Sequence, residues 1–234
     1  MDQRTLVVDD GTPLHLRVTG AGPDVLVLSG GPGCEHYLAT ESLAPTGRRC
    51  WFPWPRGVRP SGGGPHDMER AVADLEALRI GLGLGSWAVV GHSWGGDLAL
   101  RYAVDHPEAV TCVVAVAARG PQRDRTWSEA YEAGKAFEKG VDVAFDAEVW
   151  AALRASFTTW TQHPLLWRSL AECPVPVELV AAGDDVRPAW PLGQLATLLP
   201  HARLTTVPDV PHDFWHTDPD RFVATVRQAL GRHV

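Results

Sequence analysis

Along the first third of the chain, apolar residues come in short runs broken by turn formers. "RTLVV" (4–8), "LHLRV" (14–18), "DVLVLSG" (24–30) and "RRCWFPW" (48–54) read as strands, and "DDGTP" supplies a hairpin-like turn between the first two. The period then changes. In "DMERAVADLEALRIGL", Met68, Val72, Leu75, Leu78 and Leu82 recur at steps of three and four, the pattern of an amphipathic helix. Strands and helices alternate from there. "SWAVVG" (86–91) and "AVTCVVAVAA" (109–118) are unbroken apolar runs, as expected of strands buried on both faces of a parallel sheet.

Between those two runs, "GGDLALRYAVDHP" predicts a helix ended by Pro107. "PVPVELVAAG" (174–183) and "ARLTTVP" read as later strands, and "WPLGQLATLLP" and "DPDRFVATVRQALGR" as helices. Asp218 is placed to cap the last helix, with Pro219 at its first position. The order predicts an open, mostly parallel sheet with an antiparallel start. Residues 119–170 break the alternation. They carry helical patterns without a strong strand, and four tryptophans: Trp127, Trp150, Trp160 and Trp167. An aromatic helical insertion after the sixth strand reads as a lid whose inner face walls a pocket, so these four are the expected substrate-binding residues.

Composition narrows the field only at its edges. A chain of 234 residues with 45% hydrophobic and 21% charged residues fits one α/β domain. A formal charge of −7 argues against nucleic acid, which needs a basic footprint. No apolar stretch approaches the roughly 18 residues of a membrane helix, so no membrane partner is expected. "MDQRTLVVDDG" lacks the basic start and apolar middle of a secretory signal, and the expected location is cytoplasmic. Cys34, Cys50, Cys112 and Cys173 are scattered; Cys50 and Cys112 read as core residues, and Cys34 as a thiol beside a glycine-rich loop. No cluster has metal-ligand spacing, and "GPGCEH" lacks the Gly-Lys-Ser/Thr of a phosphate loop. Neither metal nor cofactor is expected.

One junction carries chemistry. Gly91-His92-Ser93-Trp94-Gly95 fits G-x-S-x-G between a predicted strand and a predicted helix, the context in which a serine becomes an exposed nucleophile on a strained turn. A serine nucleophile needs a base, and the base a carboxylate. Later strand ends offer Asp184 and Asp185 after "VELVAAG", and His212 and His216 in "DVPHDFWH". His92, beside the serine, reads as a packed core histidine.

These residues resemble those of the α/β-hydrolase superfamily, and most closely its proline iminopeptidase-like branch, over about residues 4–118 and 172–232. "GGPG" (30–33) resembles the branch's oxyanion loop, with Ser29 where the branch has His. "WPRGVRPS" (54–61) is similar to its D-Q-R-G-x-G-x-S loop, keeping Arg56, Gly57 and Ser61 but with Trp54-Pro55 in the leading positions. "GHSWGGDLALRYAVDHPEAV" matches the elbow and its helix. "DVRPAWPLGQLATLLPHA" and "VPHDFWHTDPDRF" resemble the acid loop and the histidine turn, which implies Asp185 as acid and His212 as base.

The resemblance implies an α/β-hydrolase fold with a mostly parallel sheet flanked by helices. Residues 1–118 and 171–234 would form the core and 119–170 the lid. The oxyanion hole is then expected from the backbone N–H groups of Trp94 and Gly31, since Pro32 has none to give. The resemblance also implies an aminopeptidase releasing N-terminal proline, for which Glu129, Glu132, Glu138, Asp142, Asp146 and Glu148 are available to hold an ammonium. A small-molecule ester hydrolase fits the same residues. A ligand-binding protein without catalysis is the rival from another class. The expected partner is a small molecule or short peptide.

Overall fold

The computed structural model describes residues 1–138 and 140–233. Eight strands form one sheet in the order β1-β2-β4-β3-β5-β6-β7-β8: β1 (Asp2–Val7), β2 (Pro13–Gly20), β3 (Asp24–Leu28), β4 (Arg49–Pro53), β5 (Trp87–His92), β6 (Val110–Val116), β7 (Val177–Ala182) and β8 (Ala202–Val207). β2 pairs antiparallel with β1 and β4; every later pairing is parallel. The antiparallel start and parallel body follow the pattern in the sequence. β1 begins two residues earlier than the apolar run suggests, because this edge strand is largely exposed and its burial gives no boundary.

Alternation along the strands builds two cores. In β3, Leu26 and Leu28 join one cluster while Val25 and Val27 join the other. The first cluster is covered by α1 (Met68–Gly81), α2 (Trp94–Asp105) and α6 (Trp190–Leu198); the second by α8 (Pro219–Leu230). Helix starts are capped as their sequences suggest. Asp67 accepts the Arg70 N–H at 2.7 Å, and Asp218 that of Arg221 at 3.2 Å. A one-turn helix, α7 (Phe214–Thr217), precedes α8 and was absent from the sequence reading. It is too short to show a period, and its buried Phe214 and Trp215 pack as core.

The segment between β6 and β7 holds α3 (Arg125–Gly134), α4 (Ala147–Thr161) and α5 (Leu166–Glu172). Its approach to the body is specific: Phe145 bridges antiparallel to Cys34, Glu35 N–H donates to Ala144 at 2.9 Å, and Asp146 N–H donates to Gly33 at 2.9 Å. The glycine loop and the start of α4 are thus joined by backbone bonds. No helix among the described residues is long and apolar enough to cross a membrane.

Candidate active site

β5 ends at His92 and α2 begins at Trp94, so Ser93 alone makes the turn. Its backbone lies at φ 55°, a left-handed conformation that costs an ordinary residue of order 1–3 kcal/mol and is held here by surrounding structure. Ser93 N–H donates to Val116 O at 2.8 Å, tying the turn to β6. The flanking glycines are required by space. A Cβ at Gly91 would lie 2.1 Å from the Gly95 carbonyl oxygen, and one at Gly95 would meet the Leu28 and Ser29 oxygens at 2.5 and 2.6 Å. The turn can close this tightly only without those methyl groups.

Asp185 and His212 lie on the loops after β7 and β8. The His212 Nδ1 and Asp185 Oδ2 are 2.6 Å apart, and both side chains are nearly fully buried. Asp185 Oδ1 accepts the Arg187 N–H at 2.9 Å and its guanidinium at 3.1 Å. Burial pushes the Asp185 carboxyl up, but the hydrogen bond and charge of His212, with Arg187, outweigh it and hold it below the usual carboxylate value. Asp184 is exposed, as is His216. His212 O accepts from His92 Nε2 at 3.0 Å, which seats the His212 turn beside the residue preceding Ser93. Among the described residues no hydrogen bond joins Ser93 Oγ to the His212 ring; such bonds often form only with substrate present.

Gly31, Ser93 and Trp94 line one cavity of about 210 Å³. Trp94 is the first residue of α2, where N–H groups have no intrahelical acceptor. The Gly30 N–H is already given to Tyr37 Oη at 2.6 Å, which leaves Gly31 as the glycine donor facing the cavity. Gly31 sits at φ 127°, where a side chain would be strained and would strike Cys34. The Cys34 thiol is pushed up to about 11, by burial first and then by nearby carboxylates, and it stays protonated at neutral pH.

Of the four tryptophans expected in the pocket, Trp127 and Trp150 line this cavity. Trp160 does not; it is buried against Phe157 with the Arg101 guanidinium over its ring. Trp167 does not either, being 41% exposed. Both are corrections, because a count of aromatics in an insertion says nothing about which helix face each occupies. The acidic residues of the insertion are also absent from the cavity wall. Glu129 pairs with Arg125, Glu132 with Lys135 and Glu138 with Arg187, while Asp146 caps α4. Among the described residues the single carboxylate in the wall is Asp97, pushed up to about 6 by burial and hydrogen-bonded to Gly120 N–H at 2.8 Å.

The sequence reading missed Tyr37 and the arginines of the wall, Arg119, Arg123, Arg154 and Arg187. The run "ARGPQRDR" directly after β6 was a signal for two of them. His92, His212 and Asp213 stand close enough together to suggest a metal site. Both His92 nitrogens are already hydrogen-bonded, however, and His212 Nδ1 is taken by Asp185. That grouping has no spare imidazole pair for an ion.

Comparison with known proteins fits this geometry. The profile of the alpha/beta hydrolase fold family matches residues 23–232. The chain is 37% identical over 123 residues to a proline iminopeptidase of Xylella fastidiosa, covering 48% of this chain and 38% of that one. It is 36% identical over 125 residues to a probable proline iminopeptidase of Streptomyces coelicolor, covering 48% and 39%. The matches therefore span under two fifths of the length of these relatives. Among solved structures, the proline iminopeptidase of Mycobacterium smegmatis superposes with a TM-score of 0.73 at 20% identity, over 99% of this chain and 98% of that one. A thermophilic esterase of Thermogutta terrifontis superposes at 0.76 with 19% identity over 100% of both chains. These superpositions establish the architecture, and with the family profile they lead to one conclusion: the chain belongs to the alpha/beta hydrolase fold family.

Proposed function

We propose that this protein is a serine hydrolase that cleaves small carboxylic esters through an acyl-enzyme on Ser93. The observation that carries the reading is the His212–Asp185 contact of 2.6 Å on a turn bonded to His92, the neighbour of Ser93. In the first half-reaction Ser93 Oγ bonds to the ester carbonyl carbon as His212 Nε2 takes its proton. Asp185 holds the imidazole by Nδ1 and stabilises its positive form. The N–H groups of Trp94 and Gly31 donate to the carbonyl oxygen as it becomes an oxyanion. The ester C–O bond then breaks, and the His212 proton passes to the leaving oxygen. Water repeats the sequence on the acyl-enzyme, releasing the acid and restoring Ser93. Residues 119–170 act as the lid over this reaction.

The curated relatives favour a second reading, an aminopeptidase acting on N-terminal proline. Such a substrate brings an ammonium that needs carboxylates near the nucleophile. Among the described residues the wall supplies Asp97 alone against four arginines; Glu129, Glu132 and Glu138 are paired elsewhere, Asp146 caps α4, and Asp142 and Glu148 are exposed outside the wall. The ester reading is therefore the better one. Hydrolysis of 4-nitrophenyl acetate and proline 2-naphthylamide by wild type and Ser93→Ala tests both. Ester turnover that is lost in Ser93→Ala, with no amide turnover, is expected. Equal ester rates above the spontaneous rate would remove Ser93 as the nucleophile, no turnover above that rate in either protein would make the protein a non-catalytic binder, and turnover of the amide would restore the aminopeptidase.

A further inference from the structure

The wall of the Ser93 cavity carries four guanidinium groups. Arg187 is satisfied by Glu138 and Asp185. Arg119, Arg123 and Arg154 differ: none of them has a carboxylate within ion-pair distance among the described residues. Three unpaired cations around about 210 Å³ form an unusual wall in a chain whose net charge is −7.

Each of these guanidiniums lies over an aromatic ring. Arg154 lies over the Trp150 ring at 4.4 Å and Arg119 over Phe157 at 4.5 Å. Arg123 lies over Trp127 at 5.7 Å. The three rings themselves line the cavity. The ring quadrupole attracts a guanidinium placed over it without using up the N–H groups, which stay available to donate. Arg119 Nε is buried and has no hydrogen-bond partner. A buried donor without a partner costs of order 1–3 kcal/mol, more when charged, and an anion in the cavity would remove that cost. Burial lowers the Arg119 pKa; the charge of Asp97 opposes this, and repulsion from Arg123 and Arg154 adds to it.

The geometry points to a substrate that carries a free carboxylate on its acyl chain, received by Arg119, Arg123 and Arg154 while Ser93 attacks the ester carbonyl at the other end. This inference rests on the ester hydrolase reading and narrows it to half-esters of short dicarboxylic acids. The guanidinium fork matches the two oxygens of a carboxylate, the anion assigned to this wall. The cavity size favours a short chain. In the reaction Ser93 Oγ bonds to the ester carbonyl carbon, the ester C–O bond breaks, and the serine proton leaves on the alcohol by way of His212. The distal carboxylate is unchanged throughout, and water then releases the free diacid.

Mono-4-nitrophenyl glutarate and 4-nitrophenyl pentanoate differ only in a terminal carboxylate against a methyl, and they read the inference directly once spontaneous hydrolysis is subtracted. The expected result is a kcat/KM about tenfold or more higher for the half-ester, the order that hydrogen bonds to charged groups supply. The ratio should fall toward one in Arg119→Gln and Arg154→Gln, checked for folding by circular dichroism, and in wild type at high salt. A wild-type ratio of one or less overturns the inference without touching the ester reading. If neither ester is turned over, it is the Ser93 reading that fails. Titration calorimetry of Ser93→Ala then decides the anion site: glutarate binding without pentane-1,5-diol binding upholds it, and no glutarate binding overturns it.

Discussion

Tyr37 Oη lies 2.7 Å from His92 Nδ1. The hydroxyl already accepts the Gly30 N–H, so its own proton goes to His92, which leaves the Nε2 proton for the His212 carbonyl. Tyr37 also stacks on Trp215 with ring centroids 4.5 Å apart. One hydroxyl thus connects the glycine loop, the nucleophile turn and the histidine turn. Tyr37→Phe is expected to leave two buried groups without partners. Urea unfolding should show a loss of about 1–3 kcal/mol. Turnover of a 4-nitrophenyl ester should fall by roughly tenfold, in kcat more than KM, since the oxyanion donors lose their fixed position. Unchanged kcat would mean that Tyr37 only packs the core.

The pairing of His212 with Asp185 rather than Asp184 makes a sharp contrast between neighbours. Asp185→Asn should retain the fold but lower kcat by about 10⁴, because the amide no longer fixes the imidazole tautomer. Asp184 is exposed, and Asp184→Asn should change kcat by less than about twofold. Steady-state kinetics of the two variants is the check. Comparable losses in both would place the acid elsewhere.

Stability should fall on mild acidification. Burial pushes His92 down from 6.5 to about 3 and His36 to about 4. Unfolded histidines take up protons as the pH drops below about 6.5, while these two stay neutral in the fold. The unfolded state then binds more protons, so the unfolding free energy decreases as pH falls from 6.5 toward 4. Asp97 acts in the opposite sense. Its carboxyl, raised by burial from 3.8 to about 6, binds a proton first in the folded state and adds stability between those values. Two histidines outweigh one carboxyl, and urea unfolding at pH 4.5 should give a value a few kcal/mol below that at pH 7. Asp97→Asn removes the offset and should steepen the decline between pH 6 and 4.

The glycines of the elbow make a steric prediction. Gly95→Ala would drive a methyl into the Leu28 and Ser29 carbonyls, whereas Gly85 has open space around a new Cβ. Thermal unfolding should show Gly95→Ala destabilised by about 3 kcal/mol or more and Gly85→Ala within about 0.5 kcal/mol of wild type.

Much of this architecture can be read in the sequence for physical reasons. β5, β6 and β7 are buried almost throughout, so their residues are mainly apolar (Glu178 in β7, paired with Arg232, is the charged exception), and Ser93 stands where such a run turns into a helix. Asp185 and His212 follow the ends of later strands, where the topology gathers its loops. Less legible were features that depend on three-dimensional facing. Trp150 and Trp160 sit on one helix, α4, yet Trp150 lines the cavity while Trp160 packs inward beside Phe157. The arginines were hidden differently. Arg119 and Arg123 share one stretch after β6 while Arg154 and Arg187 lie far along the chain, and an arginine in a loop or helix reads as solvated surface until the fold brings several around one cavity. The buried Arg56–Asp74 pair shows the same limit. Arg56 was noted for its loop, but its two hydrogen bonds to Asp74, at 2.8 and 2.7 Å, tie that loop to α1, a contact no local pattern announces.

The central claim, that Ser93 is the nucleophile, is tested most directly by covalent capture. Wild-type protein treated with an alkyl fluorophosphonate should gain one phosphonyl group by intact mass, lose ester turnover in step, and carry the adduct on the peptide containing Ser93. Ser93→Ala should gain none under the same conditions. An adduct on another residue, or full ester turnover in protein that the reagent does not modify, would contradict the account.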